Sequence, residues 1–257
     1  RESCNLSEIF LPMIDSKEEL VDIAVLLYKV QKAIAAMPYL DYTSDQITSA
    51  NMRLGLGITG VAQALDKLDW LDDTYNAVRV TDKAWSDAHG WPESVRLTTI
   101  KPSGTLSLLP GVTPGVHPGF SRRFVKRMRM AAIDPLVKYC AEKGFHVEPL
   151  RNFDGSIDDR TVVVSFPCSF PDNTIVAENM SALQQLDLVR ELQRVWADNS
   201  ISVTVYYRMS ELDEIREYLC EHWSEMKSVS FLLHNEHGFD QAPLGELSVE
   251  EYQHMLS

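Results

Sequence analysis

The sequence contains 257 residues, 24 of them basic and 37 acidic, so its formal net charge is −13 at pH 7. This excess of acidic side chains argues against direct nucleic-acid binding, since phosphate groups need basic partners. Apolar residues make up 45% of the chain and charged residues 24%, which is typical of a globular protein. We find no apolar run of the roughly 18 residues that cross a membrane, and we predict no membrane association.

Helix signals and strand signals alternate along the chain. Ser16 and Glu19 form a capping box, and the apolar residues behind them recur at helical spacing. Later helices are predicted to begin at the N-cap residues Asp134, Ser181, Ser210 and Ser248. Between the helices lie β-rich runs at 95–101, 124–130, 161–166, 201–206 and 228–233.

Strands that are separated by helices favour parallel pairing through helical crossovers, so the predicted fold class is α/β. Val162, Val163 and Val164 form a continuous apolar run, as expected of a strand covered on both faces. No internal repeat, low-complexity tract or linker interrupts the sequence. We therefore expect one domain over residues 1–257.

Four cysteines are scattered along the chain without the spacing of a disulfide framework or a metal site: Cys4, Cys140, Cys168 and Cys220. Together with the lack of a signal peptide, they predict free thiols in a reducing cytoplasm. The chain begins at Arg1 rather than at methionine. We expect a processed, split or truncated piece.

Three glycines match the GxGxxG pattern of a dinucleotide-binding turn: Gly55, Gly57 and Gly60. Such a turn needs a hydrophobic strand before its first glycine, and the polar residues at 43–51 do not form one. We therefore favour glycines that allow close packing at the start of a helix. An NAD-dependent dehydrogenase is kept as an alternative.

Cys220, His222, His234 and His237 resemble a zinc set, but residues two apart on a helix point in divergent directions, and we predict no metal site. Five basic residues lie close together in the acidic chain: Arg122, Arg123, Lys126, Arg127 and Arg129. They either face solvent or attract a phosphate-bearing substrate.

A candidate anion site follows the run at 95–101. It is a small, hydroxyl-rich turn that leads into a predicted helix start and consists of Pro102, Ser103, Gly104, Thr105, Leu106 and Ser107. Backbone N–H groups, a helix dipole and hydroxyl groups suit phosphate oxygens, and Gly104 would let a ligand approach the backbone. From these residues alone, an ordinary capped turn is an equal alternative.

Together with 111–118, this turn resembles the substrate-phosphate segment of ribonucleotide reductases, most closely of the adenosylcobalamin-dependent (class II) ribonucleoside-triphosphate reductases. Stretches at 53–60, 196–205 and 227–234 resemble further elements of the same family, in the same order. The resemblance implies the second half of a ten-stranded α/β barrel over residues 1–257. The N-terminal half of the enzyme and its extreme C-terminal tail would then be absent from this sequence.

The resemblance also implies a chemistry, the reduction of ribonucleoside triphosphates to 2′-deoxyribonucleotides for DNA synthesis. Homolysis of the cobalt–carbon bond of adenosylcobalamin yields a cysteine thiyl radical, which abstracts the 3′-hydrogen of the ribose. A pair of cysteines supplies the reducing equivalents and becomes a disulfide. Cys4 matches one of that pair, and a thioredoxin-like protein would reduce it again.

In the family the radical cysteine lies in an Asn-x-Cys-x-Glu motif, which this sequence lacks. We expect that cysteine upstream of Arg1, and we expect the isolated chain to be inactive. Class I enzymes carry two adjacent tyrosines where this sequence has Ser230 and Phe231, which favours class II. A non-catalytic half-barrel and a split-enzyme fragment that needs a partner chain are alternatives.

Overall fold

The computed structural model describes residues 2–3, 5–234 and 241–257. Two compact units are formed: unit 1 comprises Arg1–Pro118 and Asn179–His234, and unit 2 comprises Gly119–Glu178 and Asn235–Ser257. The α-helices are α1 (Lys17–Ala35), α2 (Tyr42–Asn51), α3 (Leu71–His89), α4 (Pro135–Glu142), α5 (Ala182–Val195), α6 (Leu212–His222) and α7 (Val249–Leu256). The strands are β1 (Leu6–Phe10), β2 (Gly55–Thr59), β3 (Thr98–Thr99), β4 (Arg123–Ala131), β5 (His146–Arg151), β6 (Ile157–Ser169), β7 (Thr204–Tyr207), β8 (Ser230–Leu233) and β9 (Leu244–Glu246).

Unit 1 is built on parallel strands. The order in its larger sheet is β1-β2-β3, and Glu8 pairs with Gly57. β7 and β8 form a second parallel pair, and a single parallel bridge joins Ile100 to Ile201. Helices α1 and α3 pack against each other, and their inward side chains are buried. The predicted α/β class is confirmed in this unit.

Unit 2 contains an antiparallel sheet in the order β5-β6-β4-β9. The expectation of parallel pairing is wrong for these strands. β5 and β6 are joined by a five-residue turn at 152–156, which is too short for the crossover that parallel strands require. The apolar run at 162–164 lies in β6, where Val163 and Val164 are buried and Val162 is half-buried.

The helix starts show how much of the fold is encoded locally. Ser181 and Ser248 cap α5 and α7 in complete capping boxes, and the Ser16 hydroxyl accepts from the Glu19 N–H at the start of α1. Asp134 caps α4, as predicted. The start predicted at Ser210 is wrong, because α6 begins at Leu212 after a 3-10 turn.

Within the described ranges, no helix has both the length and the apolar character needed to cross a membrane.

Candidate active site

A cavity of about 430 Å³ opens in unit 1. Its wall is made of five stretches, namely Ser3 with Asn5 and Leu6, 53–55, 99–102, 199–202, and Ser228. The cavity thus combines the starts of β1 and β2 with the segment that follows β3. Cys4, the predicted redox thiol, lies outside the described residues.

Asn5 is fixed at the start of β1 by α1. Its side-chain amide donates to the Gln31 carbonyl oxygen at 2.6 Å, and Gln31 Nε2 donates to the Asn5 carbonyl oxygen at 3.0 Å. Gln31 is itself only 2% exposed. This reciprocal pair holds the wall of the cavity immediately after position 4.

The glycine-rich stretch lies in β2, and its first glycine, Gly55, lines the cavity. Gly55 and Gly57 lie within β2, so the helix start predicted for them is wrong, and no strand precedes them as a dinucleotide-binding turn requires. A Cβ at Gly57 would lie 2.7 Å from the Ser7 carbonyl oxygen and 3.7 Å from Cε of Lys101. The Lys101 side chain therefore passes across the sheet where β2 has no side chain.

The segment at 196–202 closes the opposite side of the cavity and is fastened to β3. Asn199 Nδ2 donates to the carbonyl oxygens of Leu54 at 2.9 Å and Thr98 at 2.8 Å. Asp198 accepts from Arg79 at 2.8 Å and from the Tyr75 hydroxyl at 2.9 Å, which anchors the segment to α3. No local sequence signal marks Asp198, because the side chains of Arg79 and Tyr75 that it contacts lie more than 100 residues away in the chain.

Two residues in the cavity wall carry a formal charge, and both are basic. Arg53 Nε lies 3.2 Å from a carboxylate oxygen of Glu2, and Lys101 Nζ lies 3.0 Å from one of Glu8. Neither carboxylate belongs to the described wall. Each cation of the wall is therefore paired with a carboxylate outside it, and Arg53 and Lys101 are the charged groups of the wall that an anion could contact.

The predicted phosphate segment is only partly at this cavity. Pro102 lines it, whereas Ser103, Gly104, Thr105, Leu106 and Ser107 are not part of its wall. The predicted helix start is wrong, because the segment ends in a single 3-10 turn at Leu106–Leu108, which provides no helix dipole. The buried hydroxyls of Ser103 and Ser107 have no hydrogen-bond partner among the described residues.

Two glycines shape this segment in different ways. Gly104 is exposed, and a Cβ there would meet no atom within 4 Å. Gly115 has φ +57°, and its Cβ would lie 2.3 Å from the Lys101 carbonyl oxygen. The 111–118 loop therefore packs directly on the backbone where the segment begins.

His117 has a structural role in the same loop. Its Nε2 accepts from the Thr204 N–H at 3.0 Å, and its Nδ1 lies 3.0 Å from the Pro114 carbonyl oxygen. Burial lowers the pKa of this imidazole, which favours the neutral ring that both contacts require. His117 thus fastens the loop to the start of β7.

The other predicted clusters lie elsewhere. The five basic residues lie at or next to β4 in unit 2, where Arg122 donates to the Thr174 carbonyl oxygen at 2.9 Å and Arg127 to that of Ala242 at 3.0 Å. His222 contacts Arg190 and Glu225, and His237 lies outside the described residues. No group of three or more metal-ligating side chains is found in the described part of the chain.

Comparison with known proteins places this architecture among the ribonucleotide reductases. A crystal structure of a B12-dependent (class II) ribonucleotide reductase matches 99% of the chain with a TM-score of 0.83 and 26% identity, over 40% of its own length. The class Id α subunit from Actinobacillus ureae shares the fold, with a TM-score of 0.55 and 18% identity over 90% of the chain and 50% of the subunit. No family model matches the sequence.

The sequence comparison identifies a more specific group of relatives. The adenosylcobalamin-dependent ribonucleoside-triphosphate reductase of Euglena gracilis is 31% identical over 99% of the chain, and that of Lactobacillus acidophilus is 28% identical over 98%. The resemblance inferred from the sequence is therefore confirmed. The chain spans 36% and 38% of the length of these two relatives.

Proposed function

We propose that this chain is the C-terminal half of the catalytic barrel of a cytoplasmic, adenosylcobalamin-dependent ribonucleoside-triphosphate reductase. The proposed reaction removes the 2′-hydroxyl group of the substrate through thiyl radical chemistry, and a cysteine pair that includes Cys4 supplies the electrons. The N-terminal half of the ten-stranded barrel and a thioredoxin-like reductant are the proposed partners. One observation carries the proposal: the neighbours of Cys4 in sequence and the start of the phosphate segment line one cavity.

The chemistry of the cavity supports a ribonucleotide as ligand. Its volume of about 430 Å³ lies within the range of small-molecule sites. Backbone, hydroxyl and amide groups from Ser3, Asn5, Asn199 and Ser200 can meet ribose hydroxyls, and the ammonium group of Lys101 is available for a phosphate. The unpartnered hydroxyls of Ser103 and Ser107 are further candidate donors to phosphate oxygens.

The three described cysteines are poorer candidates than Cys4 for the redox role. Cys140 is buried, and burial raises the pKa of the half-buried Cys168 thiol, which disfavours the reactive thiolate. Cys220 is exposed on α6 and does not line the cavity. Asn5 and Ser3, in contrast, both do.

The size of the cavity bears on the proposed cofactor. A cavity of about 430 Å³ suits a ribose with its phosphates, whereas a corrin ring with its nucleotide tail requires considerably more room. This cavity by itself therefore does not accommodate cobalamin, and we propose adenosylcobalamin for the complete enzyme because the relatives are named as adenosylcobalamin-dependent. Its contribution would be the initiating radical.

The test is reconstitution of activity. The chain is combined with a polypeptide that carries the upstream half of the barrel, together with adenosylcobalamin, a dithiol and a ribonucleoside triphosphate, and deoxynucleotide is measured. We expect product that disappears with Cys4→Ser and persists with the control Cys220→Ser. Product that survives Cys4→Ser would exclude the thiol assignment. An associated pair without product would favour a non-catalytic half-barrel.

A further inference from the structure

A basic residue of the cavity wall forms an ion pair with a buried carboxylate that lies outside the wall. The Glu8 side chain is 1% exposed and the Lys101 side chain 23%, and their charged atoms lie 3.0 Å apart. Neither oxygen of Glu8 has a hydrogen-bond partner among the described residues apart from this pairing. A buried carboxylate with a single partner depends on that partner being charged and in place.

The backbone around the pair directs Lys101 across the sheet. Glu8 lies opposite Gly57 in the β1–β2 register, and the absence of a side chain at Gly57 leaves the path that Lys101 follows. Gly115 packs against the Lys101 carbonyl oxygen from the other side. The direction of this lysine is thus set by its neighbours on two sides.

An ammonium group has three N–H donors, and its contact with Glu8 among the described residues is an ion pair in which neither carboxylate oxygen accepts a hydrogen bond. No further hydrogen bond of Lys101 Nζ is found within the described residues, and Lys101 forms part of the cavity wall directly before Pro102. The group therefore has donors left for a ligand at the point where the candidate phosphate segment begins.

We propose that Lys101 is a phosphate-contacting residue of this site, and that Glu8 is the positioning residue that fixes its ammonium group beside the cavity. This inference rests on the proposed function and adds to it the cation that binds the phosphate groups of the substrate. Arg53, the other basic group of the wall, is paired with the more exposed Glu2 and lies before β2. It lacks the anchoring that a buried carboxylate gives Lys101.

Lys101→Met alone would leave the Glu8 carboxylate buried without a cation and would destabilise the protein. A loss of triphosphate binding could then result from unfolding. The informative comparison is Glu8→Gln against Glu8→Gln/Lys101→Met, because neither variant contains an unpaired buried carboxylate. Lys138→Met serves as a charge control, since Lys138 lies on an exposed face of α4. Circular dichroism and thermal unfolding verify that each variant is folded.

Binding of a ribonucleoside triphosphate and of the corresponding nucleoside is measured with the chain combined with the upstream half of the barrel, at low and high ionic strength. The double variant should bind the triphosphate roughly tenfold to a hundredfold more weakly than Glu8→Gln, as expected for a lost charge-assisted hydrogen bond. Nucleoside affinity should be unchanged, and the difference should shrink at high salt. Lys138→Met should bind like the unaltered protein.

Equal triphosphate affinity of Glu8→Gln and the double variant would overturn the assignment of Lys101. A parallel loss of nucleoside affinity would also overturn it, because a purely structural role would affect both ligands. If the unaltered protein binds the nucleoside and triphosphate equally, only this inference falls. If it binds neither, the proposed function falls with it.

Discussion

Gly104 and Gly57 show two different reasons for a glycine in one site. At Gly57 a Cβ would meet the Ser7 carbonyl oxygen, so the fold itself excludes a side chain. At Gly104 the surrounding space is open, and nothing in the described structure requires a glycine there. A ligand that approaches the backbone would provide the missing reason.

Gly104→Val should weaken nucleotide binding and leave stability nearly unchanged. The branched side chain would occupy the space that the phosphate groups need, while it meets no atom of the protein within 4 Å. Titration with a ribonucleoside triphosphate and thermal unfolding measure the two effects, and Gly104→Ala should fall between the two proteins in affinity. Unchanged affinity of the valine variant would remove Gly104 from the phosphate site.

A second buried ion pair in unit 1 concerns stability. Lys32 and Asp82 are both 0% exposed and lie 2.9 Å apart. Burial alone would raise the pKa of Asp82, but hydrogen bonds from Lys32, Tyr28 and the Ser94 N–H outweigh it and hold this pKa below its ordinary value. The pair joins α1 and α3 to the chain before β3.

Because the folded pKa of Asp82 is lowered, its contribution to stability is present above the unfolded pKa of about 3.9 and is lost as the pH falls through the lower folded value. Lys32→Met should reduce the free energy of unfolding by about 3–5 kcal/mol, since the buried carboxylate then keeps only the more distant cation of Arg79, 3.8 Å away. Lys32→Met/Asp82→Asn should recover most of this loss and show a weaker dependence on acid pH. Urea unfolding between pH 3 and 7 measures both, and a small effect of Lys32→Met would contradict this account.

At the scale of elements, the phosphate segment depends on the loop at 111–118, which folds back onto the backbone where the segment begins. Gly115→Ala should destabilise unit 1 and also weaken nucleotide binding, because its Cβ would displace the Lys101 backbone. Gly90→Ala is the matched control: Gly90 has φ +68°, but a Cβ there meets nothing within 4 Å. Gly90→Ala should lower the free energy of unfolding by only about 1–2 kcal/mol, the cost of a non-glycine residue in the left-handed conformation.

Chemical unfolding and triphosphate binding are measured for both variants. The comparison separates the strain of a left-handed alanine from displacement of the Lys101 backbone. If Gly115→Ala and Gly90→Ala lose equal stability and both bind normally, the loop does not set the position of the segment.

Helix starts were the elements best predicted from sequence. Ser16, Asp134, Ser181 and Ser248 each accept a hydrogen bond from an N–H within three residues, so the signal is local. α2 and α3 were missed, because their first turns are polar and resemble loop; α2 has a local cap in Asp41, which accepts from the Ser44 N–H, whereas α3 has no side-chain cap. The antiparallel sheet of unit 2 was missed as well, since helix and strand signals do not fix how strands pair.

At the scale of the whole molecule, the sequence by itself determined the α/β class, the starts of four of the seven described α-helices and the family resemblance. These follow from short-range patterns and from motifs that are contiguous in the chain. Tertiary structure alone decided that the strands of unit 2 are antiparallel, that the segment after Ser103 ends in a 3-10 turn, and that Glu8 faces Lys101. The physical reason is that strand register and buried ion pairs join residues that are distant in sequence, and only the folded chain brings them together.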